Sequence, residues 1–367
     1  MRTPSDDVKL FLSKMTPYIS ADGARNLNKV SRELDIPYQT LRFRMLRLAK
    51  QGIGILPLVS AESLGLERIR ASMRISKDVK DPQSFFTGLH QTAGLHYFAR
   101  TMFEQDFDSE FMIPAGTRLE LTRLLNGLQE MGVVKDFVLR RLDWKEILMM
   151  KTELYDYEQE QWDVDYSSIA SDPSMKLPSP NPSDRFDHVD LLIVKSLQLD
   201  PWVKVVDLAK KFNMTEGDVS YHVNRHVFGR RQVPGFRLRW VGTKEAWSKH
   251  SILGITTVFK DLTEESFRRA MAIVTSNPFA WNHMRAEDGT YISELLVPTP
   301  QIPETFQHLS DGLRSMDLKP QIMNVDWACS NSFTIPYMMH DEQLGWTFNA
   351  EKSLASVLQT LQSFQKA

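Results

Sequence analysis

Two predicted helices each carry, on one face, side chains that hydrogen-bond to nucleic acid. Glutamine and arginine make paired hydrogen bonds to the edges of adenine and guanine, whereas threonine, tyrosine and additional arginines suit phosphate oxygens. In the first helix, predicted over residues 37–51, the outward-facing candidates are Tyr38, Gln39, Thr40, Arg42, Arg44 and Arg47. In the second helix they are Thr215, which is predicted to be an N-cap, with Ser220, His222, Asn224 and Arg225.

Both helices belong to an internal repeat. Residues 28–52 and 206–230 align without a gap, so that Val30 falls on Leu208. Each copy predicts a short helix, a turn and a second helix, which is the pattern of a helix-turn-helix whose second helix enters the major groove of DNA. Solvation would explain the charges on a single surface helix, but two correctly spaced copies favour DNA binding. Tyr221 aligns with a phenylalanine of the first copy and is expected to face the core.

The segments after the two copies differ in charge. Residues 54–60 form an apolar wing, whereas the second wing surrounds Pro234-Gly235 with Arg230, Arg231, Arg237 and Arg239. The whole chain has a net charge of −2, yet residues 25–52 hold seven Lys and Arg and residues 203–244 hold nine. Such patches attract phosphates within a Debye length of about 8 Å. We therefore expect the second wing to track the DNA backbone.

The repeat continues beyond each helix-turn-helix. Strand-like alternation and helix-like spacing follow one another in the order β-α-β-β-α-β, once in each half. Asp143-Trp144 of the first copy falls on Asp326-Trp327 of the second, and Trp162 falls on Trp346. Agreement at several places in the same order indicates a duplication. A monomer that imitates a dimer is the expected result.

The duplication predicts six segments, among them a Ser- and Pro-rich linker and a final helix. Their predicted bounds are 1–60 for the first winged helix-turn-helix, 61–166 for the first βαββαβ domain with its extension, 167–184 for the linker, 185–245 for the second winged helix-turn-helix, 246–349 for the second βαββαβ domain with its extension and 350–367 for the C-terminal helix. Asn349 is expected to cap that helix, and its apolar face is expected to pack within the molecule, with a dimer contact as the alternative.

The composition excludes several classes of protein. The chain has 367 residues, of which 42% are hydrophobic and 25% charged, as in globular proteins. Cys329 is the only cysteine, which excludes an intramolecular disulfide and a multi-cysteine zinc site. The nine histidines have no ligand spacing, so no metal site and no cofactor are predicted. The first ten residues have no apolar signal core, and the cytoplasm is the expected location.

One stretch resembles a known family. The run LAKQGIGILPLVSAESLGL (residues 48–66), followed by RIRASMRIS (residues 68–76), resembles the leucine-responsive regulatory protein/AsnC family of bacterial and archaeal transcription regulators. The resemblance implies an α+β fold in which two winged helix-turn-helix domains alternate with two ferredoxin-like βαββαβ domains, as a tandem fusion. It also implies sheet-to-sheet packing of the two ferredoxin-like domains. The second copy departs from the pattern, because VFGRRQVPGFRLRWVG replaces the turn.

The function expected from these observations is sequence-specific DNA binding by a transcription regulator, without enzymatic activity. Double-stranded DNA is the expected partner, with the transcription machinery and a small effector left open, and no membrane contact. In the family, effectors bind near positions that correspond here to Gly132 and 315–317, which lack a cluster of polar anchors. The chain would be a monomer with a pseudo-dimeric core, or a homodimer.

Two other interpretations remain. Siroheme decarboxylases share the winged-helix plus ferredoxin-like plan, sometimes as fused tandem chains. The residues that could bind tetrapyrrole carboxylates are His96, Tyr97, Arg100, His283 and Arg285, although YISELLV and SEFMIP stand where those enzymes have an aromatic-rich strand motif. The third interpretation is a protein-docking module that uses the acidic, aromatic stretch 155–166, in which Trp162 is expected to have a structural role.

Overall fold

The computed structural model describes residues 27–50, 54–101, 106–148, 151–156, 159, 161–169, 186–239, 252–314 and 317–365. Most of the predicted linker, residues 170–184, lies outside the described residues, as do Ser315 and Met316 of the candidate effector region. Within the described ranges no helix is long and apolar enough to cross a membrane.

The first copy begins with a helix-turn-helix and continues into four long strands and two helices. Its elements are α1 (Leu27–Glu33), α2 (Tyr38–Lys50), β1 (Gly54–Leu58), β2 (Leu66–Ile75), α3 (Pro82–Ala93), β3 (Leu95–Thr101), β4 (Asp106–Pro114), α4 (Arg118–Glu130), β5 (Val134–Ile147), β6 (Tyr155–Asp156) and β7 (Gln161–Trp162). The last two are the short strands of a hairpin that follows the main sheet.

Within the described residues, the second copy repeats this order with one additional helix at its start and a C-terminal helix at its end. Its elements are α5 (His188–Leu199), α6 (Val205–Phe212), α7 (Glu216–Tyr221), β8 (Gly235–Arg239), β9 (Ile252–Phe259), α8 (Glu264–Ser276), β10 (Ala280–Ala286), β11 (Tyr291–Pro298), α9 (Ile302–Arg314), β12 (Gln321–Ser332), β13 (His340–Asp341), β14 (Gly345–Trp346) and α10 (Ala350–Gln365). Helix α7 continues directly as a π-helix over His222–Phe228.

The two sets of four strands close into one eight-stranded barrel. The strand order is β10-β11-β9-β12-β3-β4-β2-β5, so each half keeps the order expected of a βαββαβ domain. Strand β5 pairs with β10 at one seam, and β12 pairs with β3 at the other. The predicted α+β fold class is confirmed, but the halves join edge to edge rather than sheet to sheet. Closure leaves none of these eight strands with an unpaired edge, which is why edge-to-edge joining is favoured.

The helices cover the outside of the barrel. In the first half, Phe85, Phe86 and Leu125 are fully buried beneath α3 and α4. Helix α10 lies on these two helices and buries Val357 completely. Asn349 Oδ1 accepts the backbone N–H of Lys352 at 2.9 Å, as predicted for the cap of this helix. The C-terminal helix therefore packs within the molecule.

The two winged helices form one body with a shared core. Strands β1 and β8 pair antiparallel, with Gly54 opposite Arg239 and Leu58 opposite Gly235. The same apolar cluster contains Leu41 of the first copy and many residues of the second. The second wing was expected to track the DNA backbone. In the structure, its strand β8 pairs with strand β1 of the apolar first wing.

Each copy's extension packs on the other copy. The Trp162 ring meets Phe279 edge to face, with ring centroids 4.9 Å apart. Tyr166 Oη lies 2.7 Å from Thr305 Oγ1. In the opposite direction, Trp346 Nε1 donates to the Leu64 carbonyl at 2.6 Å. These contacts join the two halves and agree with a structural role for Trp162 and Trp346.

Candidate functional site

A buried charged network occupies part of the barrel interior. Successive side chains of a strand point to opposite faces of the sheet. Ile69 and Ala71 of β2 face the helices, so Arg68 and Arg70 face the barrel interior. The charged members of the network are Arg68 and Arg70 on β2, Asp108 and Glu110 on β4, Lys145 on β5 and Glu294 on β11. Three cations and three carboxylates are thus buried together, and Arg68 also pairs with the more exposed Glu62 at 3.1 Å.

Glu110 connects two of the cations. Its Oε1 lies 2.8 Å from Arg68 Nη1, and its Oε2 lies 2.6 Å from Lys145 Nζ. Burial alone would raise the pKa of Glu110, but the charges of Lys145 and Arg68 hold it well below its usual range. Glu110 is therefore ionised, and it neutralises two cations that would be costly to bury alone.

Arg70 joins the two halves of the duplication. Its guanidinium contacts Asp108 of the first copy and Glu294 of the second, and its ion pairs cross the barrel interior. Asn282 of β10 donates to the other oxygen of Glu294. Burial raises the pKa of Asp108 even though Arg70 opposes the rise. The network thus depends on the closed barrel, because neither half contains all of its partners.

His96 and Tyr97 lie beside this network at a bulge. The register between β3 and β4 shifts between Leu95 and Tyr97, which leaves His96 as the extra residue. His96 Nδ1 has no hydrogen-bond partner among the described residues. Burial, which the charge of Glu110 opposes and those of Arg68 and Lys145 reinforce, lowers the pKa of His96 to about 3. The ring is therefore neutral at physiological pH, and Nδ1 is available to a ligand.

Tyr97 is protonated in the same surroundings. Burial, with Glu294 and Asp108 nearby, raises the pKa of its hydroxyl well above the usual value. Its ring lies under the Arg70 guanidinium, 5.6 Å from centroid to carbon. The phenol thus keeps its proton and can donate it. β-Bulges are common beside active sites because they redirect a side chain.

The second copy has the same bulge with different residues. The register between β10 and β11 shifts between Ala280 and Asn282, so Trp281 takes the position of His96. The Trp281 ring stacks beneath Arg237 of the second wing, with the guanidinium carbon 4.1 Å from the ring centroid. The imidazole and phenol pair is therefore found at one of the two bulges, and the duplicated halves are chemically unequal.

The other three tetrapyrrole candidates lie apart from the network. His283 is fully buried on the helix side, where Nε2 lies 2.8 Å from Glu146 Oε2 and the ring meets Trp144. Arg285 stacks on the Phe267 ring at 4.5 Å. Arg100 pairs with Asp326 near the surface. His96 and Tyr97 were named in the sequence as candidates to bind tetrapyrrole carboxylates, and that role stays a prediction. The sequence did not reveal the network, because its charged members come from four strands.

The first set of predicted DNA-contacting residues lies on an open helix face. Tyr38, Gln39, Thr40, Arg44 and Arg47 are exposed and Arg42 is half-buried. In the second set, Asn224 and Arg225 are exposed, Ser220 is half-buried and Thr215 caps α7 by accepting the N–H of Asp218 at 3.1 Å.

Several expectations for the second copy need correction. Tyr221 was expected to face the core, but it is 56% exposed, since Val219 takes the buried position of the helix. His222 does not face outward, because its Nδ1 lies 2.8 Å from the buried Asp190 carboxylate. In the wing, Arg237 is stacked on the barrel, Arg231 is exposed and Arg230 is half-buried. The side chain of Arg239 lies outside the described residues.

Comparison with known proteins gives a fold relationship over the whole chain. Neither a protein family nor a curated protein matches the sequence. The siroheme decarboxylase NirDL matches with a TM-score of 0.56 and 11% identity, over 98% of this chain and 99% of that chain. Its co-complex with an iron-uroporphyrin III analogue matches with a TM-score of 0.54 and 12% identity, again over 98% and 99%. The whole-chain likeness is to an enzyme.

Two solved transcription regulators match 41% and 38% of this chain. A transcriptional regulatory protein of the AsnC family from Pyrococcus furiosus matches with a TM-score of 0.28 and 14% identity, over 38% of this chain and 89% of that chain. The expectation of a DNA-binding transcription regulator without enzymatic activity is wrong, because the solved structures that match the whole chain are of a siroheme decarboxylase.

Proposed function

We propose that this protein is an enzyme that binds an anionic tetrapyrrole and removes CO₂ from one of its carboxylate side chains. The observation that carries the proposal is the pair His96 and Tyr97, placed at a bulge beside buried cations in a fold that matches siroheme decarboxylase from end to end. The match covers 98% of this chain and 99% of that chain.

The cations suit a substrate carboxylate. Arg68 and Lys145 already share Glu110, and both keep a small exposed fraction, 7% and 9% of their side chains. Charged hydrogen bonds of this kind are roughly twice as strong as neutral ones, and they orient a planar carboxylate. The substrate would enter beside His96, whose Nδ1 has no partner among the described residues. We infer that the acidic rim of a tetrapyrrole binds here.

The reaction needs a proton and no oxidant. When the bond between the side-chain carbon and the carboxylate breaks, its electron pair stays on the carbon and CO₂ leaves. That carbon then takes one proton. Tyr97 is the proton donor we propose, since its raised pKa keeps the phenol protonated until the carbanion forms beside it. His96, being neutral, would orient the substrate through Nδ1 without adding a charge.

The direct test is binding and turnover with the full chain. Iron-uroporphyrin III is titrated against the protein and followed by Soret absorbance, and siroheme is incubated with it and analysed by mass spectrometry for loss of CO₂. We expect Tyr97→Phe to bind the porphyrin normally and to lower turnover by about 100- to 10 000-fold, the usual contribution of a general acid. His96→Gln should weaken binding.

A matched control is Tyr221→Phe, which removes the same hydroxyl from an exposed site. It should leave both readouts unchanged. If the wild-type chain neither binds iron-uroporphyrin III nor releases CO₂ from siroheme, the proposed function is wrong. Normal turnover in Tyr97→Phe would instead remove Tyr97 from the mechanism.

A further inference from the structure

Four metal-ligating side chains converge in the second winged helix, away from the barrel. Asp187 and Asp190 lie at the start of α5, and His222 and His226 lie on the π-helix that follows α7. Their ligand atoms all lie within 4.8 Å of one another. Asp190 is fully buried, both histidines are half-buried and Asp187 is exposed, so the cluster is open to solvent on one side.

The carboxylate oxygens are divided between two tasks. Asp187 Oδ1 accepts the backbone N–H of Asp190 at 2.9 Å, and Asp190 Oδ2 accepts that of Asp187 at 3.2 Å, which forms a capping box. The remaining oxygen of each, Oδ2 of Asp187 and Oδ1 of Asp190, faces the imidazoles. The cap therefore fixes both carboxylates and leaves Asp187 Oδ2 and Asp190 Oδ1 directed at the cluster, while Asp190 Oδ2 also lies 3.2 Å from His226 Nδ1.

The spacing of these atoms fits a tetrahedral ion. His222 Nδ1 lies 2.8 Å from Asp190 Oδ1 and 3.5 Å from Asp187 Oδ2, and the corresponding distances for His226 are 3.1 and 3.7 Å. Zinc bonds to nitrogen and oxygen are about 2.0–2.1 Å long, so ligand atoms around it lie about 3.3 Å apart. The four measured separations fall on both sides of that value.

Two further observations point to a bound cation. The ion pairs of the buried Asp190 carboxylate within the described part of the chain are with histidines alone, and an imidazole is charged only when protonated. In addition, the histidines lie on seven residues of π-helix, a rare conformation that is frequent at functional sites. It presents both Nδ1 atoms to the same carboxylate, four residues apart.

We propose that Asp187, Asp190, His222 and His226 bind one Zn²⁺ ion that holds the π-helix after α7 against α5. Two imidazoles and two carboxylates form a ligand set that zinc accepts. Gln232 Nε2 lies 3.4 Å from Asp190 Oδ2 and supports that ligand from behind. With all four positions filled by protein, the ion would be structural, separate from the proposed reaction at the barrel.

The test is zinc binding to the full chain after treatment with a chelator and removal of any affinity tag. Isothermal titration with Zn²⁺ should give one site per chain, and Zn²⁺ should raise the melting temperature, since the ion binds the folded state. Co²⁺ should give the visible absorption of a tetrahedral complex. Replacing both imidazoles in the double variant His222→Gln/His226→Gln should remove the site and the thermal shift.

His308→Gln is the matched control, because this histidine lies on α9 outside the cluster. It should bind one Zn²⁺ like the wild type. Asp187→Asn covers the case in which the double variant fails to fold, since asparagine is also a good N-cap. Loss of an outer-shell partner alone lowers metal affinity about 10- to 100-fold, and loss of this ligand should cost at least as much. An unchanged titration in Asp187→Asn and the double variant, or no Zn²⁺ binding by the wild type, would overturn the proposal.

Discussion

At the scale of single residues, the barrel interior shows how a few charges can be buried without destabilising the fold. Glu110 is held between Lys145 and Arg68, and Arg70 is held between carboxylates of the two halves. A buried pair contributes little net stability, but removal of one partner leaves an uncompensated charge. A single substitution in the network should therefore lower the stability of the fold, although the sequence around these residues does not indicate this.

Glu110→Gln should be strongly destabilising. The amide keeps the shape but leaves Lys145 and Arg68 with one fewer negative charge in a buried site. We expect the free energy of unfolding to fall by about 3–5 kcal/mol, as for other broken buried pairs. Chemical denaturation measures it. The exposed Glu351→Gln is the control and should change little; a similar small loss in Glu110→Gln would mean that water reaches the network.

His96 should make stability depend on pH in the acid range. Its pKa is about 3 in the folded protein and 6.5 in the ordinary state, so between these values the unfolded chain binds the extra proton. The contribution is full above pH 6.5 and is lost as pH falls towards 3, with a slope that approaches about 1.4 kcal/mol per pH unit. Urea titrations at several pH values should therefore give a flatter profile for His96→Gln. Parallel wild-type and variant profiles would show that His96 is hydrated.

At the scale of elements, the sequence predicted the order of strands and helices because alternation and helical spacing are local properties. It could not predict the two seams, since nothing within β5 or β12 indicates which distant strand it will meet. The bulge at His96 was also missed, because a bulge depends on the register with a partner strand. The exposure of Tyr221 has a related reason. The core that the two winged helices share contains Val219 of the same helix, and Tyr221 lies on the opposite, exposed face.

The exchanged extension carrying Trp162 should contribute measurably to stability. Its ring packs between Tyr155 and Phe279, with centroids at 5.2 and 4.9 Å. Because the ring is half-buried, Trp162→Ala should cost somewhat less than the about 3–5 kcal/mol of a core tryptophan. Differential scanning calorimetry should show a lower melting temperature. Leu344→Ala, at a side chain that is 77% exposed, is the control. An unchanged melting temperature in Trp162→Ala would argue for a docking role instead.

At the scale of the whole molecule, the duplication has produced one body rather than two linked domains. Two barrel seams, the paired wings and the exchanged extensions all join the first copy to the second. The repeat in the sequence predicted two copies of the same order of strands and helices, and the barrel contains the same strand order twice. The repeat did not predict that the two halves differ chemically at the bulge, where one copy has His96 and the other has Trp281. A fused chain permits such divergence, whereas identical subunits do not.

This unity predicts the behaviour of a cleaved chain. A protease site inserted between residues 170 and 185 would allow the connection to be cut after folding. We expect the two fragments to remain one particle of 42.3 kDa by light scattering, because separation would expose both edges of each four-stranded sheet.

The fragment that ends near residue 169, expressed alone, should self-associate through β3 and β5, whose partners β12 and β10 are then absent. The network centred on Arg70 would be incomplete in that fragment, since Glu294 belongs to the other half. If the cut chain separated into two stable monomers, the linker would contribute more than the seams to holding the two halves together.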